Sequence, residues 1–397
     1  MKILYIAPTS PYPPNFGGRL RVNSIYRSLV SIAEEVRLAV LGEAPEPAAQ
    51  AFLEKHGACV LPPLVEKTSH RAKRIITSAL RGRSIPAARF LWDSRLVEIE
   101  NLINASKSDL VILGETYLAE LVPLVRKTGR AVIVDTFNVE SVLHWRTARA
   151  ALWHPSAAAY GLLAVNTAAL ERRFLPQADR VWAVSNTDVA WYKENLGLHA
   201  IDTVPNVVSI PEATASARGT DVVVYCGFFA YAPNEDAGLR MVALSDDLER
   251  AGVKHCVRLV GRGVGPRLEG AAAKSERVEL TGEVESVEPY LVDAAVFAAP
   301  LAAGSGTKFK ILQALALGLP VVTTPVGAEG LALVDGLHAL IRPLSGIAEA
   351  VAELLADEER RVRLGREGRD HVACCFSEAA LQASLVDTLE QLDYLRG

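Results

Sequence analysis

The chain has 397 residues, of which 50% are hydrophobic and 22% are charged. This length and composition exclude a disordered chain and indicate two globular domains of ordinary size. The formal net charge of -4 at pH 7 argues against a partner that is a nucleic acid.

The cysteines and the first residues point to a cytoplasmic protein. The 5 cysteines are scattered, their number is odd, and no Cys-x-x-Cys pair occurs. A disulfide framework and a zinc knuckle are therefore not expected, and a reducing compartment fits best. Residues 1–8 read as a first buried strand and not as a signal peptide. No apolar run reaches the length that spans a bilayer.

The first half of the chain alternates predicted strands with amphipathic helices such as 20–33. This alternation predicts a parallel sheet covered on both faces. The predicted strands are 2–7, 36–41, 109–113, 131–135 and 180–184.

The second half repeats the pattern, and the polar, proline-bearing segment 209–219 is the predicted hinge. One or two charged helices are expected within 348–371, and a last amphipathic helix at 377–394. The predicted strands are 221–226, 256–260, 278–281, 295–300, 321–324 and 339–341.

A Gly/Ser/Thr loop, 304–307, follows one of these strands and leads into a helix. Such a loop leaves backbone N–H groups free, and the start of a helix adds a partial positive charge. Lys308 and Lys310 bring full positive charges to the same segment. The pattern predicts an anion site suited to a diphosphate, although a glycine-rich turn of this kind can also bind nothing.

The segment resembles the nucleotide-sugar signature of family 4 glycosyltransferases, which have the GT-B fold. Those enzymes usually carry two glutamates eight positions apart, where this chain has Ser305 and Gln313. Gln313 can hydrogen-bond a ribose hydroxyl, but it is neutral. A subset resembling bacterial polysaccharide and lipopolysaccharide transferases reads Gly-Thr-Arg/Lys-x-Lys-Ile-Leu-Glu, which this chain matches at Gly306, Thr307, Lys308, Lys310, Ile311 and Leu312.

Further segments match the family in the expected order. The resemblance implies that the loop with Gly17 and Gly18 approaches the donor phosphates and the acceptor, although a rigid proline-rich turn is the alternative. It implies that Gly227 lets the backbone reach the diphosphate and that Arg262 adds charge there. The segment with Val284 would contact the base through backbone groups, and the Arg/Lys pair that many relatives carry after the glycine is missing.

On the other domain, the strand end 133–140 resembles the family's Asp-x-His-Asn-x-Glu pattern. Phe137 replaces the histidine, and a phenyl ring cannot shuttle a proton. Asn138 and Glu140 match, and they are candidates for contacts to sugar or acceptor hydroxyls, with helix capping as the alternative. Glu115, at the end of another strand, could contact the acceptor or cap a helix.

A basic stretch with interleaved apolar residues runs from Lys67 to Arg89. It could contact anionic lipid on the inner face of the plasma membrane, which a lipid-linked acceptor would explain. A solvated helix face is the alternative.

The resemblance implies a doubly wound α/β chain with two Rossmann-like domains facing across a cleft. Residues 1–206 with the returning C-terminal helix 377–397 would form the acceptor side, and 207–376 the nucleotide-sugar side. The implied activity is that of a metal-independent, retaining glycosyltransferase without a cofactor. Its partners would be a nucleoside-diphosphate sugar and a saccharide, lipid-linked or other hydroxyl acceptor. A non-catalytic nucleotide-sugar-binding homologue and a nucleotide-sugar epimerase of the same fold are the alternatives.

Overall fold

The computed structural model describes residues 1–14, 17–41, 47–61, 75, 77, 83–150, 156–212, 214–215, 219–303 and 307–394. The chain divides into two compact units. Unit 1 consists of Met1–Val207 and Glu378–Gly397, and unit 2 is Val208–Ser377.

The described part of unit 1 forms a seven-stranded parallel sheet in the order β3-β2-β1-β4-β5-β6-β7. The strands are β1 Lys2–Ala7, β2 Glu35–Leu41, β3 Cys59–Leu61, β4 Leu110–Gly114, β5 Ala131–Asp135, β6 Arg180–Ala183 and β7 Ile201–Thr203. The helices are α1 Gly17–Ile32, α2 Pro47–Lys55, α3 Asp93–Ser106, α4 Val122–Lys127, α5 Glu140–Ala150, α6 Ser156–Phe174 and α7 Asn186–Leu196. Short 3-10 helices lie at Ala87–Arg89, Thr116–Leu121 and Leu175–Gln177.

The described part of unit 2 forms a six-stranded parallel sheet in the order β10-β9-β8-β11-β12-β13. Its strands are β8 Val222–Cys226, β9 Cys256–Val260, β10 Val278–Gly282, β11 Val296–Ala299, β12 Val321–Thr323 and β13 Leu340–Ile341. Its helices are α8 Ala232–Arg250, α9 Pro266–Ala272, α10 Glu288–Val292, α11 Phe309–Ala316, α12 Pro325–Ala328, α13 Ile347–Ala356 and α14 Glu358–Cys375, with a 3-10 turn at Leu344–Gly346.

Both faces of the unit 1 sheet are buried, which explains why its strands are continuous apolar runs. In β1, Leu4 and Ile6 join one apolar cluster, while Ile3 and Tyr5 join another on the opposite face. Period-two alternation therefore separates two apolar sets instead of an apolar and a polar one.

The last helix, α15 (Glu378–Tyr394), belongs to unit 1 and packs against α1, as the resemblance implied. Leu381 and Leu385 are buried in the same cluster as Ile25. The indole N–H of Trp182 donates a 3.2 Å hydrogen bond to Thr388 Oγ1. By length and composition, Glu358–Leu392 is also apolar enough to cross a membrane. That stretch comprises two separate helices that pack on their own units, so it is weak evidence for a membrane span.

In both sheets the strand order reverses next to the first strand of the unit. The reversal lies between β1 and β4 in unit 1 and between β8 and β11 in unit 2. The carboxyl ends of strands at such switch points are where open α/β sheets bind ligands. A ligand site is therefore expected at the loops that follow β1, β4, β8 and β11.

Candidate active site

The switch point of unit 2 carries most of the residues that the sequence singled out for the donor. Gly227 follows β8, and Thr307 and Lys308 lie between β11 and α11. Ser305 and Gly306, from the same loop, lie outside the described residues.

The side chain of Lys310 runs from α11 to the end of β8. Its Nζ donates hydrogen bonds to the Tyr225 hydroxyl at 2.9 Å and to Asn234 Oδ1 at 2.8 Å. It also lies 4.5 Å from the centre of the Tyr225 ring. A Cβ built on Gly227 would lie 3.0 Å from this Nζ. The ammonium group therefore lies next to the Gly227 turn. The resemblance implies that many relatives place an Arg/Lys pair just after this glycine.

The ammonium group of Lys310 is buried. Burial lowers the pKa of Lys310 to about 8, although the neighbouring Cys226 opposes the shift. Two of the three N–H donors of Lys310 are used by Tyr225 and Asn234, and the third can serve a ligand oxygen. The ammonium group is mostly charged at pH 7, and an incoming anion would raise its pKa further, so the site is suited to phosphate.

Lys308 has different neighbours from Lys310. It is only 7% exposed, and its Nζ lies 3.9 Å from Glu329 Oε2. Lys308 also occupies the position just before α11, where its carbonyl oxygen accepts hydrogen bonds from Ile311 and Leu312. The side chains of Lys308 and Lys310 thus contact different groups.

Two glycines allow close approach of the backbone at this edge of the sheet. Gly261, after β9, has a φ of 140°, and a Cβ there would lie 2.0 Å from the carbonyl oxygen of Gly227. A side chain is therefore excluded at Gly261 both by conformation and by space. The backbone at Gly261 can therefore lie in contact with the Gly227 turn, beside Lys310.

The other predicted donor residues lie at or near the same edge. Arg262 is exposed, pairs with Glu283 at 3.1 Å, and stands over the Phe228 ring at 5.4 Å. Val284 is half-buried and packs against the core of unit 2. Gln313 is exposed on α11.

In unit 1, Gly17 and Gly18 are the first residues of α1, so this helix begins earlier than predicted. Three residues after Gly18, Arg21 is 2% exposed and forms a buried ion pair with Asp135, the last residue of β5. Its guanidinium also donates to Asn206 Oδ1 at 3.0 Å. Arg21 thus links α1 to the end of β5 and to the segment at Asn206, which is a structural role.

Asn138 and Glu140 are brought together, but they are also held by other side chains. Asn138 Nδ2 donates to Glu140 Oε1 at 2.9 Å, and the hydroxyl of Tyr117 donates to Glu140 Oε2 at 2.9 Å. The Tyr117 oxygen also lies 2.9 Å from Nε2 of His144. Glu140 is 5% exposed, and each carboxylate oxygen retains a lone pair for a further donor. Such a fixed carboxylate can accept a hydrogen bond from a hydroxyl.

Two further carboxylates lie close to Glu140. Burial, reinforced by the charge of Glu140, raises the pKa of Glu115 to about 8. Glu115 has a φ of 103°, which is a strained conformation for a residue with a side chain. Glu171 accepts hydrogen bonds from the backbone and hydroxyl of Ser141, and burial raises its pKa to about 7.

The side chains that contact the candidate residues were not predicted from the sequence. His144 lies four residues after Glu140, so both are on one face of α5, and this spacing is a signal that could have found it. The contacts of Lys310 with Tyr225 and Asn234 join positions 85 and 76 residues apart. No local pattern announces contacts of that range.

The predicted membrane contact falls largely on residues outside the described ranges. Of the basic residues in the stretch from Lys67 to Arg89, only Arg83 and Arg89 are described, and Arg83 pairs with Asp93 at 2.6 Å. Among the described residues, no group of three or more His, Cys, Asp or Glu side chains is arranged to hold a metal ion.

A known family matches the unit that carries the Lys310 site. The sequence profile of the family described as "Glycosyl transferases group 1" matches residues 220–357. The match lies within unit 2, whose sequence is thus similar to this family over most of its length. The resemblance found in the sequence is therefore confirmed, and no curated protein sequence matches the chain significantly.

Solved structures show that the similarity extends over both units. Sucrose-phosphate synthase from Thermosynechococcus elongatus has a TM-score of 0.72 at 16% identity, with 100% of each chain covered. Anabaena HepE in complex with UDP-glucose has a TM-score of 0.67 at 14% identity, covering 98% of this chain and 100% of the other. A mutant of S. aureus TarM, in complex with fondaparinux, α-GlcNAc-glycerol and UDP, has a TM-score of 0.68 at 9% identity over 98% and 99% of the two chains. The chain thus has the GT-B fold, as predicted.

Proposed function

We propose that this protein is a retaining glycosyltransferase that moves a sugar from a nucleoside-diphosphate sugar to an acceptor hydroxyl. The observation that carries the proposal is the position of the Lys310 ammonium group. It lies against the Gly227 turn, at the switch point of a glycosyltransferase group 1 domain. Structures of similar fold in complex with UDP or UDP-glucose support a nucleotide-sugar donor.

The chemistry follows from where charge develops. When the glycosidic bond of the donor breaks, negative charge accumulates on the leaving diphosphate. A cation and backbone N–H groups that are already in position stabilise this charge without reorganisation. Lys310 would supply the cation, and the loop before α11 with Thr307 and Lys308 would supply N–H groups. No metal is required for this step, and the leaving phosphate would take the proton of the acceptor hydroxyl.

The acceptor would bind in unit 1. Glu140, fixed by Asn138 and Tyr117, would accept a hydrogen bond from an acceptor hydroxyl and orient it. We assign the reaction to the synthesis of a cell-surface polysaccharide or glycoconjugate in the cytoplasm. A lipid-linked acceptor would bring the protein to the inner face of the membrane, where the basic stretch Lys67–Arg89 would contact anionic lipid.

The test is thermal unfolding of the purified protein with UDP, GDP, ADP, dTDP or CMP. A ligand that binds the folded state raises the melting temperature by mass action. We expect one nucleoside diphosphate to stabilise the wild type and Lys310→Ala to lose this response. Lys254→Ala is the matched control, because Lys254 is an exposed lysine of the same unit, paired with Asp221 at 2.7 Å. No response from the wild type to any nucleotide at millimolar concentration would refute the donor site.

A non-catalytic nucleotide-sugar-binding homologue is the second candidate. Gln313 is neutral where the family usually has a glutamate, and Phe137 stands over the Arg21 guanidinium at 5.8 Å where the family often has a histidine. Nucleotide binding without donor hydrolysis or transfer to any acceptor would favour this candidate.

A further inference from the structure

A cavity of about 470 Å³ lies on the flank of unit 1, outside the residues assigned above. The loop after β1, helix α1 and helix α2 line it. Its volume falls within the range of small-molecule binding pockets, roughly 300–1,000 Å³. The cavity is large enough for a sugar ring.

Aromatic rings form one wall of this flank cavity. The ring of Phe52 stacks on Tyr12 with centroids 5.5 Å apart and an interplanar angle of 6°. It also stacks on His56 at 4.2 Å and meets the edge of Tyr26 at 6.3 Å. Tyr12 is 39% exposed, so part of its surface remains accessible. The rings hold one another in place and present a rigid surface.

Helix α1 forms another wall and combines apolar and polar side chains. Asn23, Arg27 and Val30 line the cavity, and their spacing of four and three residues puts them on one helix face. Val30 is 50% exposed. Arg27 pairs with Glu378 at 3.7 Å, and both side chains are more than half exposed, so this ion pair holds the guanidinium weakly. The guanidinium of Arg27 is therefore available to a ligand.

We propose that the flank cavity binds a saccharide ring of the acceptor, remote from the hydroxyl that reacts. A pyranose has apolar C–H faces that pack on aromatic rings and hydroxyl edges that accept and donate hydrogen bonds. Asn23, Arg27 and His56 can serve those hydroxyls. An acyl chain would instead cover these polar side chains without offering them hydrogen bonds, which costs free energy. This inference rests on the proposed function.

The position of the cavity explains why the ring would be remote from the reaction. Arg27 lies ten residues after Gly17 along α1, which is roughly 15 Å at the rise of a helix. Tyr12, however, belongs to the loop that connects β1 to Gly17. A saccharide in the flank cavity would contact this loop, so we expect longer acceptors to bind more tightly than monosaccharides.

Saturation-transfer NMR with maltotetraose, cellotetraose and chitotetraose, each at millimolar concentration, tests the proposal. We expect at least one of them to bind the wild-type protein. Val30→Glu should weaken that binding roughly tenfold, or 1.4 kcal/mol, because it puts a charge on the apolar wall. Tyr12→Ala should weaken it as well. Val97→Glu is the matched control, since Val97 is a 57% exposed valine on helix α3. Melting temperatures of all variants check that they are folded.

Absence of binding by all three oligosaccharides, or binding that both Val30→Glu and Tyr12→Ala leave unchanged, would overturn the proposal. The experiments distinguish failure of this proposal from failure of the proposed function. A protein that responds to a nucleotide but binds no oligosaccharide refutes the flank cavity alone. A protein that binds an oligosaccharide through Val30 but neither binds a nucleotide nor transfers a sugar refutes the proposed function alone.

Discussion

The switch points of the two units have the same topology and opposite chemistry. In unit 2 a buried lysine stands against a glycine turn. In unit 1 the strand ends at and beside the switch point carry three acidic side chains: Glu115 follows β4, Asp135 ends β5, and Glu140 begins α5. Asp135 is paired with Arg21, and burial raises the pKa of Glu115 to about 8. The fold supplies the place, while the side chains decide which ligand fits it.

Under the proposed function, this difference would assign the donor to unit 2 and the acceptor to unit 1. A cationic site is suited to a diphosphate, and a carboxylate fixed by hydrogen bonds is suited to hydroxyl groups. If this division is right, each site can be impaired without loss of the other. The variants below test the division.

The largest effect is expected for Lys310→Ala in the cationic site. Loss of one preorganised group that stabilises developing charge costs roughly 10²–10³ in turnover. We expect a loss of this size in sugar transfer, measured by steady-state kinetics. Lys254→Ala should retain wild-type rates, and a loss below tenfold in Lys310→Ala would show that another group carries the charge.

A somewhat smaller effect, on stability, is expected for Gly261→Ala. The new Cβ would collide with the Gly227 carbonyl, and a φ of 140° is strained for alanine. We expect a destabilisation of about 3 kcal/mol in urea unfolding. Gly270→Ala is the control, because a Cβ at that helical glycine meets nothing within 4 Å. If both variants unfold at the same urea concentration, the close crossing of the two glycine turns is not required.

Tyr117→Phe tests the carboxylate site and should have a moderate effect. It removes the hydroxyl that donates to Glu140 and leaves that carboxylate less well held, which costs about 1–2 kcal/mol. We expect the KM for the acceptor to rise roughly five- to thirtyfold, while stabilisation by the nucleotide stays unchanged. Tyr160→Phe, whose ring lies 6.3 Å from that of His144, should leave the acceptor KM unchanged. A loss of the nucleotide response in Tyr117→Phe would contradict the division between the sites.

The smallest effect is a pH dependence of nucleotide binding. Because the pKa of Lys310 is about 8, its ammonium group is mostly charged at pH 7 and mostly neutral at pH 9. Affinity for the nucleoside diphosphate should therefore fall as the pH rises through 8, by at most tenfold per pH unit. Calorimetric titration between pH 7 and 9 measures this fall. Lys310→Arg should bind with a flat profile, since arginine stays charged. A fall of equal size in that variant would assign the effect to another group.

The sequence predicted most of the fold because the central strands are long, apolar and separated by helices. Every predicted strand is present. The strands that were missed, β3 and β7, are three residues each, which is too short for a periodic pattern. Among the described strands, both lie at the edges of the sheet and pair on one side.

The candidate site was predictable only in part. The family pattern picked out Lys310 and Gly227, and the structure brings the two together. The sequence does not show where a side chain points or which residues it contacts. Lys308 and Lys310 were predicted to act at one spot, but Lys308 approaches Glu329 and Lys310 contacts Tyr225. These partners come from strands and helices that meet only in the folded sheet. The roles assigned to these residues remain predictions.

The course of the chain also bears on biosynthesis. Unit 2 is one continuous segment, whereas unit 1 is completed only by the last helix of the chain. Because α15 follows unit 2 along the chain, it is synthesised after unit 2, and the core of unit 1 cannot be completed before then. Until then, the surface around Ile25 and Trp182 lacks its cover. The nascent first unit is therefore the part of the protein most in need of protection by a chaperone.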